Sequence, residues 1–382
     1  MPPSLAQCAR LFLIPTTMRS ILLTGALACA AACAHATEAA AADGWTVYSD
    51  MSLWQASDAV PISQLDETWT AYSPRAGRNT ALMRNRVAAG VGKDRWRLGL
   101  ELRQDAILAT DRASLDAYYL YQQKRKPTPP ASFALQARYF SWQAQGLRLG
   151  YTFDGPRIGG RTGSIALSGA VYGKQRLRER SVQGTLTYPQ ADTFGFAATH
   201  TDANSGMTYP FMGDAPSASG AGLSLAATLP LLDAWTLRVQ ADDLASRLRW
   251  KNLPLNTESL ASNVTSYDAN GYVNYAPLLS GRKQQVDRSF RIPRYTAAAL
   301  DYRNGDWGAG VQVARYAGET IPTLSLSRRF GWLTLLGNVE TRFDSAGIGI
   351  EAGNLRLVLQ SDARKLEEAK ARSLQLHYHV VF

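Results

Sequence analysis

Ten arginines sit on the polar faces of short alternating segments, and they are the residues of this 382-residue chain best suited to chemistry: Arg84, Arg86, Arg97, Arg103, Arg148, Arg238, Arg303, Arg329, Arg342 and Arg356, against Glu101, Asp301 and Glu340. A guanidinium stays charged at every accessible pH and holds a carboxylate or phosphate through paired hydrogen bonds. Around a water-filled passage such a set would draw anions and repel cations. Set against acids and loops, the same residues would be bracing and conduct nothing. His377 and His379 share one face of the last segment and could titrate or hold a metal, although two polar lining residues explain them more simply. His200 is followed by Thr201 and Asp202, but neighbours in sequence are not a triad in space. No nucleophile motif, phosphate-binding glycine loop or functionally divided carboxylate pair is present, so no cofactor is implied and a hydrolase ranks third among the readings.

The elements that must position these side chains are strands. In 95–104 Leu98, Leu100 and Leu102 alternate with Arg97, Glu101 and Arg103, after a turn at Gly92-Lys93-Asp94 that follows 83–92. The same period of two runs through 114–123, 133–153 (folded at Gln145-Gly146), 164–173, 181–188, 193–200, 223–229 and 235–241. It returns in 295–303, 307–316, 323–330, 332–343, 347–352, 355–360 and 373–382, with Asn304-Gly305 and Gly353-Asn354 as tight turns. Between these lie the loops 201–220 and 242–292, where the period fails. The second carries Trp250, Tyr267, Tyr272, Tyr275 and the basic Arg282, Lys283, Arg288 and Arg291, and reads as a constriction, a recognition loop or an ordinary surface loop.

The final decapeptide alternates without a break. Leu374, Leu376, Tyr378, Val380 and Phe382 point one way, Ser373, Gln375, His377 and His379 the other. This ending resembles the closing strand of Gram-negative outer-membrane β-barrels, and the resemblance implies that those five residues are read by the barrel-assembly machinery. With Phe382 in the periplasm, tracing the chain backwards puts Gly353-Asn354, Phe330-Gly331, Asn304-Gly305, Pro230 to Asp233 and Pro189-Gln190 on the periplasmic side. The longer 361–370, 317–322, 242–292 and 201–220 fall outside, which is the asymmetry of bacterial barrels. Tyr188, Trp235, Trp307, Phe330, Trp332 and Phe382 then form an aromatic girdle, and Arg364, Lys365, Lys370 and Arg372 lie near lipopolysaccharide phosphates or form a solvated loop with Glu367 and Glu368.

The amino terminus reads as a secretory signal over 1–36. Arg19 precedes an apolar run from Ile21 to Cys33 and the small-x-small site Ala34-His35-Ala36, and Met18 is a candidate true start. Cys8, Cys29 and Cys33 all lie in that segment, and its removal takes Arg10 and Arg19, lowering the net charge from +10 to +8. Mean hydropathy of −0.20 with 46% hydrophobic residues suits strands that alternate. Basic charge alone does not signal nucleic acid, since no binding motif accompanies it. Residues 37–65 read as a periplasmic tail, a plug or an irregular first strand, and 66–382 as the barrel.

The expectation is therefore an all-β, transmembrane, antiparallel up-and-down barrel of 16 strands (range 14–18): a first strand near Trp69 would give 18, and one early hairpin fewer gives 16. Its expected role is a channel for small polar, anionic solutes through an Arg-lined lumen. The alternative is a plugged barrel acting in interaction, export or assembly. Outer-membrane lipid, lipopolysaccharide, the assembly machinery and small solutes are the expected partners, with a homo-oligomer open and nucleic acid excluded.

Overall fold

The computed structural model describes residues 44–190, 195–262, 265–267, 273–275 and 279–382. The signal segment 1–36 lies outside them, as do Tyr272 and the side chains of Tyr267 and Tyr275. Strands β1 (Trp45–Ser57), β2 (Arg78–Lys93) and β3 (Trp96–Asp111) lead into helix α1 (Arg112–Gln122). β4 (Ala131–Ile158), β5 (Arg161–Tyr188), β6 (Gly195–Asn204), β7 (Ser217–Leu232) and β8 (Trp235–Ala261) follow. A small hairpin of β9 (Thr265–Tyr267) and β10 (Val273–Tyr275) precedes β11 (Leu279–Phe290). Then come β12 (Tyr295–Asn304), β13 (Trp307–Tyr316), β14 (Glu319–Phe330), β15 (Leu333–Glu340), β16 (Ser345–Ala352), β17 (Leu355–Ser361) and β18 (Ala371–Val381).

Sixteen of these strands make one antiparallel sheet, and fourteen of them close a ring in chain order, β18 returning to β1 in the register Thr46↔Val381. β6 and β11 stand outside that ring. β6 pairs the far half of β5 and the end of β8, and β11 pairs the far half of β8. The barrel is closed because every ring strand has two partners, which is the only way a sheet can leave no backbone edge in lipid.

Alternation decides which side is wet. Leu98, Leu100, Leu147, Leu149, Leu324, Leu326 and Ile348 lie on the outer surface, each at least 49% exposed. A soluble monomer does not present apolar surface on that scale, so the outer wall is built for acyl chains. At one end the strands are joined by two-residue turns, and Trp45, Trp96, Trp235, Trp307, Phe330, Trp332 and Phe382 ring it as exposed aromatics. At Gly353, φ is +54°, a conformation glycine adopts without a Cβ penalty, so the Gly353-Asn354 turn is tight. Tyr188 is not in this girdle. β5 runs 28 residues without a break, which carries Tyr188 and Pro189-Gln190 to the long-loop end.

Four further expectations are corrected. The segment 114–123 is helical, because Asp111 caps it by accepting from Ser114 N at 2.8 Å and buries Leu115 and Tyr118 at helical spacing. Gln145-Gly146 is a β-bulge, not a turn, so 133–153 is a single strand and 164–188 pairs along it. The first strand is Trp45–Ser57 and not a segment near Trp69, so the tail-or-plug reading of 37–65 fails where β1 pairs with β2 and β18. Most of 242–292 is not loop, since it completes β8 and forms β11.

Residues 58–77 and α1 form a cap at the long-loop end, packed on the outward-facing positions Ala81, Leu108 and Tyr139 of β2, β3 and β4. Ala59, Val60, Ile62, Leu65, Trp69, Leu115 and Tyr118 share one apolar cluster. Tyr72 stacks on Trp69 and Tyr119 with ring centroids 5.7 and 4.4 Å apart, and its hydroxyl donates to Asp116 at 2.6 Å. Lys370 is tied into this cap through Ser73 Oγ at 2.6 Å and the Asp58 carbonyl at 3.3 Å, and Arg372 Nε donates to Gln55 at 2.8 Å. Lys365 pairs with Glu368 at 3.1 Å. Three of the four basic residues expected near lipopolysaccharide are thus engaged within the chain.

Candidate functional site

The barrel interior has two halves, a packed one toward the long loops and an open one toward the short turns. The packed half is organised by charge. Glu101 is fully buried and faces Arg86 Nε at 2.9 Å, Arg148 Nε at 3.4 Å and Arg103 Nε at 3.8 Å. Arg103 reaches Asp105 at 2.9 Å and both oxygens of Asp243 at 2.9 and 2.8 Å. Arg84 and Arg86 share Asp242, and the Tyr316 hydroxyl donates to Asp105 at 3.0 Å. Apolar side chains complete the seal. Trp142 lies 5.3 Å beneath Arg103 and packs edge-on against Tyr172, while Trp54, Phe343 and Tyr316 interlock nearby. Charges buried in this way are tolerated only when paired, so the network is rigid bracing.

Asp242 and Asp243 reach the lumen together because β8 bulges there. The register against β7 shifts by two between Leu223↔Ala245 and Leu225↔Ala241, and Asp243 takes φ +57°. In a regular strand one of the two would face lipid.

The open half is a cavity of about 1020 Å³, lined by polar ends of the inward positions: Ser168, Gln240, Ser325, Asn338, Gln360 and Gln375 among them. Arg97, Arg148, Arg161, Arg238, Arg303, Arg356 and His377 also line it. Arg238 is doubly bonded to Asp301, Arg356 stands 4.0 Å from Glu351, and His377 Nδ1 lies 3.0 Å from Asp50. Arg97 has no such carboxylate among the described residues. Its guanidinium lies 5.7 Å above the Tyr48 ring, which occupies space left by Gly90 and Gly99, where an added Cβ would come within 2.8 and 2.3 Å of the Tyr48 hydroxyl. Arg161 donates to the carbonyls of Leu232 and Asp233.

The ten arginines therefore divide. Arg84, Arg86, Arg103, Arg148, Arg238, Arg342 and Arg356 face carboxylates, Arg342 from the 341–344 turn to Asp58 at 2.7 Å and Glu319 at 2.9 Å rather than from a lumen strand. Arg97 and Arg303 line the cavity without one among the described residues. Arg329 turns to the rim and donates to the Gly331 carbonyl at 3.0 Å, and His379 lies opposite Tyr48, nearer that rim than His377. Leu374, Leu376, Tyr378 and Val380 occupy the other face of β18 and pair onto β1.

His200 Nδ1 lies 3.2 Å from Glu258, Asp202 pairs with Arg178 and Arg180, and the Thr201 hydroxyl meets Ser181 at 2.7 Å. The sequence neighbours His200, Thr201 and Asp202 are thus dispersed into separate contacts. Among the described residues no group of His, Cys, Asp and Glu could hold a metal.

The closed ring, lipid-facing leucines, aromatic girdle and loop asymmetry all point one way. The fold is that of an outer-membrane β-barrel. No family model matches the chain, and no curated protein does. Among solved structures, a TodX mutant described as a monoaromatic hydrocarbon channel aligns at 12% identity over 89% of this chain and 90% of its own, with a TM-score of 0.43. A Pseudomonas aeruginosa FadL homologue aligns at 11% over 88% and 86%, TM-score 0.36. The Ralstonia pickettii toluene transporter TbuX aligns at 9% over 89% and 90%, TM-score 0.31. The activity of this barrel has to come from its own residues.

Proposed function

We propose that this chain is an outer-membrane channel for small polar solutes, gated at its outer end. The supporting observation is the polar cavity of about 1020 Å³ inside a closed, lipid-facing wall. The short turns face the periplasm in this reading, so the vestibule opens inward and the Glu101–Arg103–Asp243 network with the packing of Trp142 against Tyr172 closes the outer half until it moves. Solute preference follows from what is left unpaired. Most lumen arginines are offset by acids, whereas Arg97 and Arg303 keep their charge available, which favours small anions over cations without making a uniformly positive pore. The barrel-assembly machinery as reader of Leu374, Leu376, Tyr378, Val380 and Phe382, and residues 1–36 as the export signal, belong to the same proposal.

Planar-bilayer recording tests it. The intact barrel is expected to conduct in brief openings with anions preferred, and the double variant R97E/R303E to lose or invert that preference. A second reading has one observation behind it: the Glu101–Arg103–Asp243 network is buried and mutually paired, as in a barrel that never opens and serves as a scaffold. A barrel that stays silent after the interior packing is loosened by W142A would overturn the channel and leave that reading.

A further inference from the structure

On the outside of the wall, β8 carries a row of charges directly above the apolar belt. Arg247, Arg249 and Lys251 are exposed and alternate with the buried Leu248 and Trp250. Their cross-strand partners on β7 are Ala221, Ser219 and Ser217, all too small to cover them. Arg249 also has only Ser289 opposite on β11. Residues two apart in a strand are spaced by roughly 7 Å, so the row spans about 14 Å.

At the foot of this row the outer wall is hollow. Arg247 closes one end of a groove of about 720 Å³ whose lining is mostly apolar and includes Leu98, Leu147, Leu149, Val171 and Leu223. The groove follows from two local features. The β-bulges in β4, β5, β7 and β8 fall close together along these adjacent strands and bend the wall. Gly169 lies within it, and an added Cβ there would meet nothing within 4 Å.

We infer that this groove and row form a docking site for a phosphorylated, acylated glycolipid of the outer leaflet, with one acyl chain along the leucines and its phosphates on Arg247, Arg249 and Lys251. A headgroup with more than one phosphate fits a 14 Å row of three cations, as estimated from strand spacing, better than a single phosphate does. The row also lies on the long-loop side of the belt, where such a lipid resides. The site needs membrane insertion but no conduction, so it stands or falls separately from the channel.

The test uses the full barrel, delipidated in detergent and titrated with lipopolysaccharide, phosphatidylglycerol or phosphatidylcholine, with bound lipid counted by native mass spectrometry. Lipopolysaccharide is expected to bind tightest. R247S/R249S/K251S and, independently, G169L are each expected to weaken it at least about tenfold, with heat-modifiable gel mobility confirming a folded barrel in both. Unchanged binding in either variant overturns the proposal, which requires charges and groove together. Equal binding of phosphatidylglycerol would assign the site to ordinary phospholipid, and equal binding of phosphatidylcholine would reduce it to an apolar crevice; both outcomes also overturn it.

Discussion

Asp242 and Asp243 are adjacent in sequence and both turn inward, Asp242 to Arg84 and Arg86, Asp243 to Arg103. The β8 bulge makes this possible, and with it the plug of charge at mid-barrel. D243N removes the charge while keeping a residue that tolerates positive φ, and it should destabilise the barrel by about 2–3 kcal/mol because Arg103 keeps only Asp105 and the more distant Glu101. D243L adds a backbone penalty on top and should cost more. Urea midpoints of the heat-modifiable form would rank the two, and equal midpoints would refute the positive-φ argument.

Charge that is paired and charge that is free should behave differently in conduction. R238Q/D301N deletes a matched pair and is expected to leave the reversal potential of an opened barrel where it was, whereas R97Q moves it toward cations. If the two variants shift it equally, the division between bracing and free arginines is wrong.

The cap is held to the ring by Asp58, which accepts two hydrogen bonds from Arg342 at 2.7 and 3.0 Å. Burial pushes the Asp58 carboxyl up, but the hydrogen bonds from Arg342 and Thr80 outweigh it and hold the group below the usual carboxylate range. A depressed carboxylate stabilises the fold above its unfolded value of about 3.9, and the contribution fades as pH falls through the lower folded value. The cap should therefore stay seated at mildly acidic pH and loosen only below the usual carboxylate range. D58N should loosen it at neutral pH, by about 3 kcal/mol. Protease cleavage within 58–77 as a function of pH reports both; cleavage of the unaltered barrel beginning near neutrality would contradict the assignment.

Trp69 is the centre of the cap's aromatic cluster, so W69A should lower local stability by about 3–5 kcal/mol while leaving the strands paired. Hydrogen exchange is expected to rise in 58–77 and α1 and to stay unchanged in β14 to β17. A uniform rise over the ring would show that cap and barrel unfold as one.

Much of the architecture was legible because a lipid-facing wall repeats every two residues. Leu98-Leu100-Leu102 against Arg97-Glu101-Arg103 fixed the orientation of β3, and the final third, with its Asn-Gly and Gly-Asn turns, reads off strand by strand. The errors came where the period breaks or imitates another. The stretch from Ser114 to Gln123 alternates well enough to resemble a strand, and only Asp111 as a cap reveals a helix. The bulge at Gln145-Gly146 looks like a turn because glycine serves both. Asp242-Asp243 interrupts the alternation of 235–241, which hid the continuation of β8 and the row Arg247, Arg249 and Lys251. Of the acids that face the arginines, Glu101 and Asp301 could be read from the alternation, whereas Asp105, Asp242 and Asp243 become partners only through cross-barrel distances that no spacing in the chain encodes.

The cap belongs to the first loop, yet it rests on the last: Ile62 N donates to the Ala369 carbonyl at 2.8 Å, and Ser57 N to that of Lys370 at 2.7 Å. A sheet that grows hairpin by hairpin would carry this segment unseated until its final stave arrives, so its docking and the barrel's completion become a single event. Cysteines placed at Ile62 and Ala369 should then crosslink in the finished cylinder and stay reduced in an arrested, open-sided intermediate.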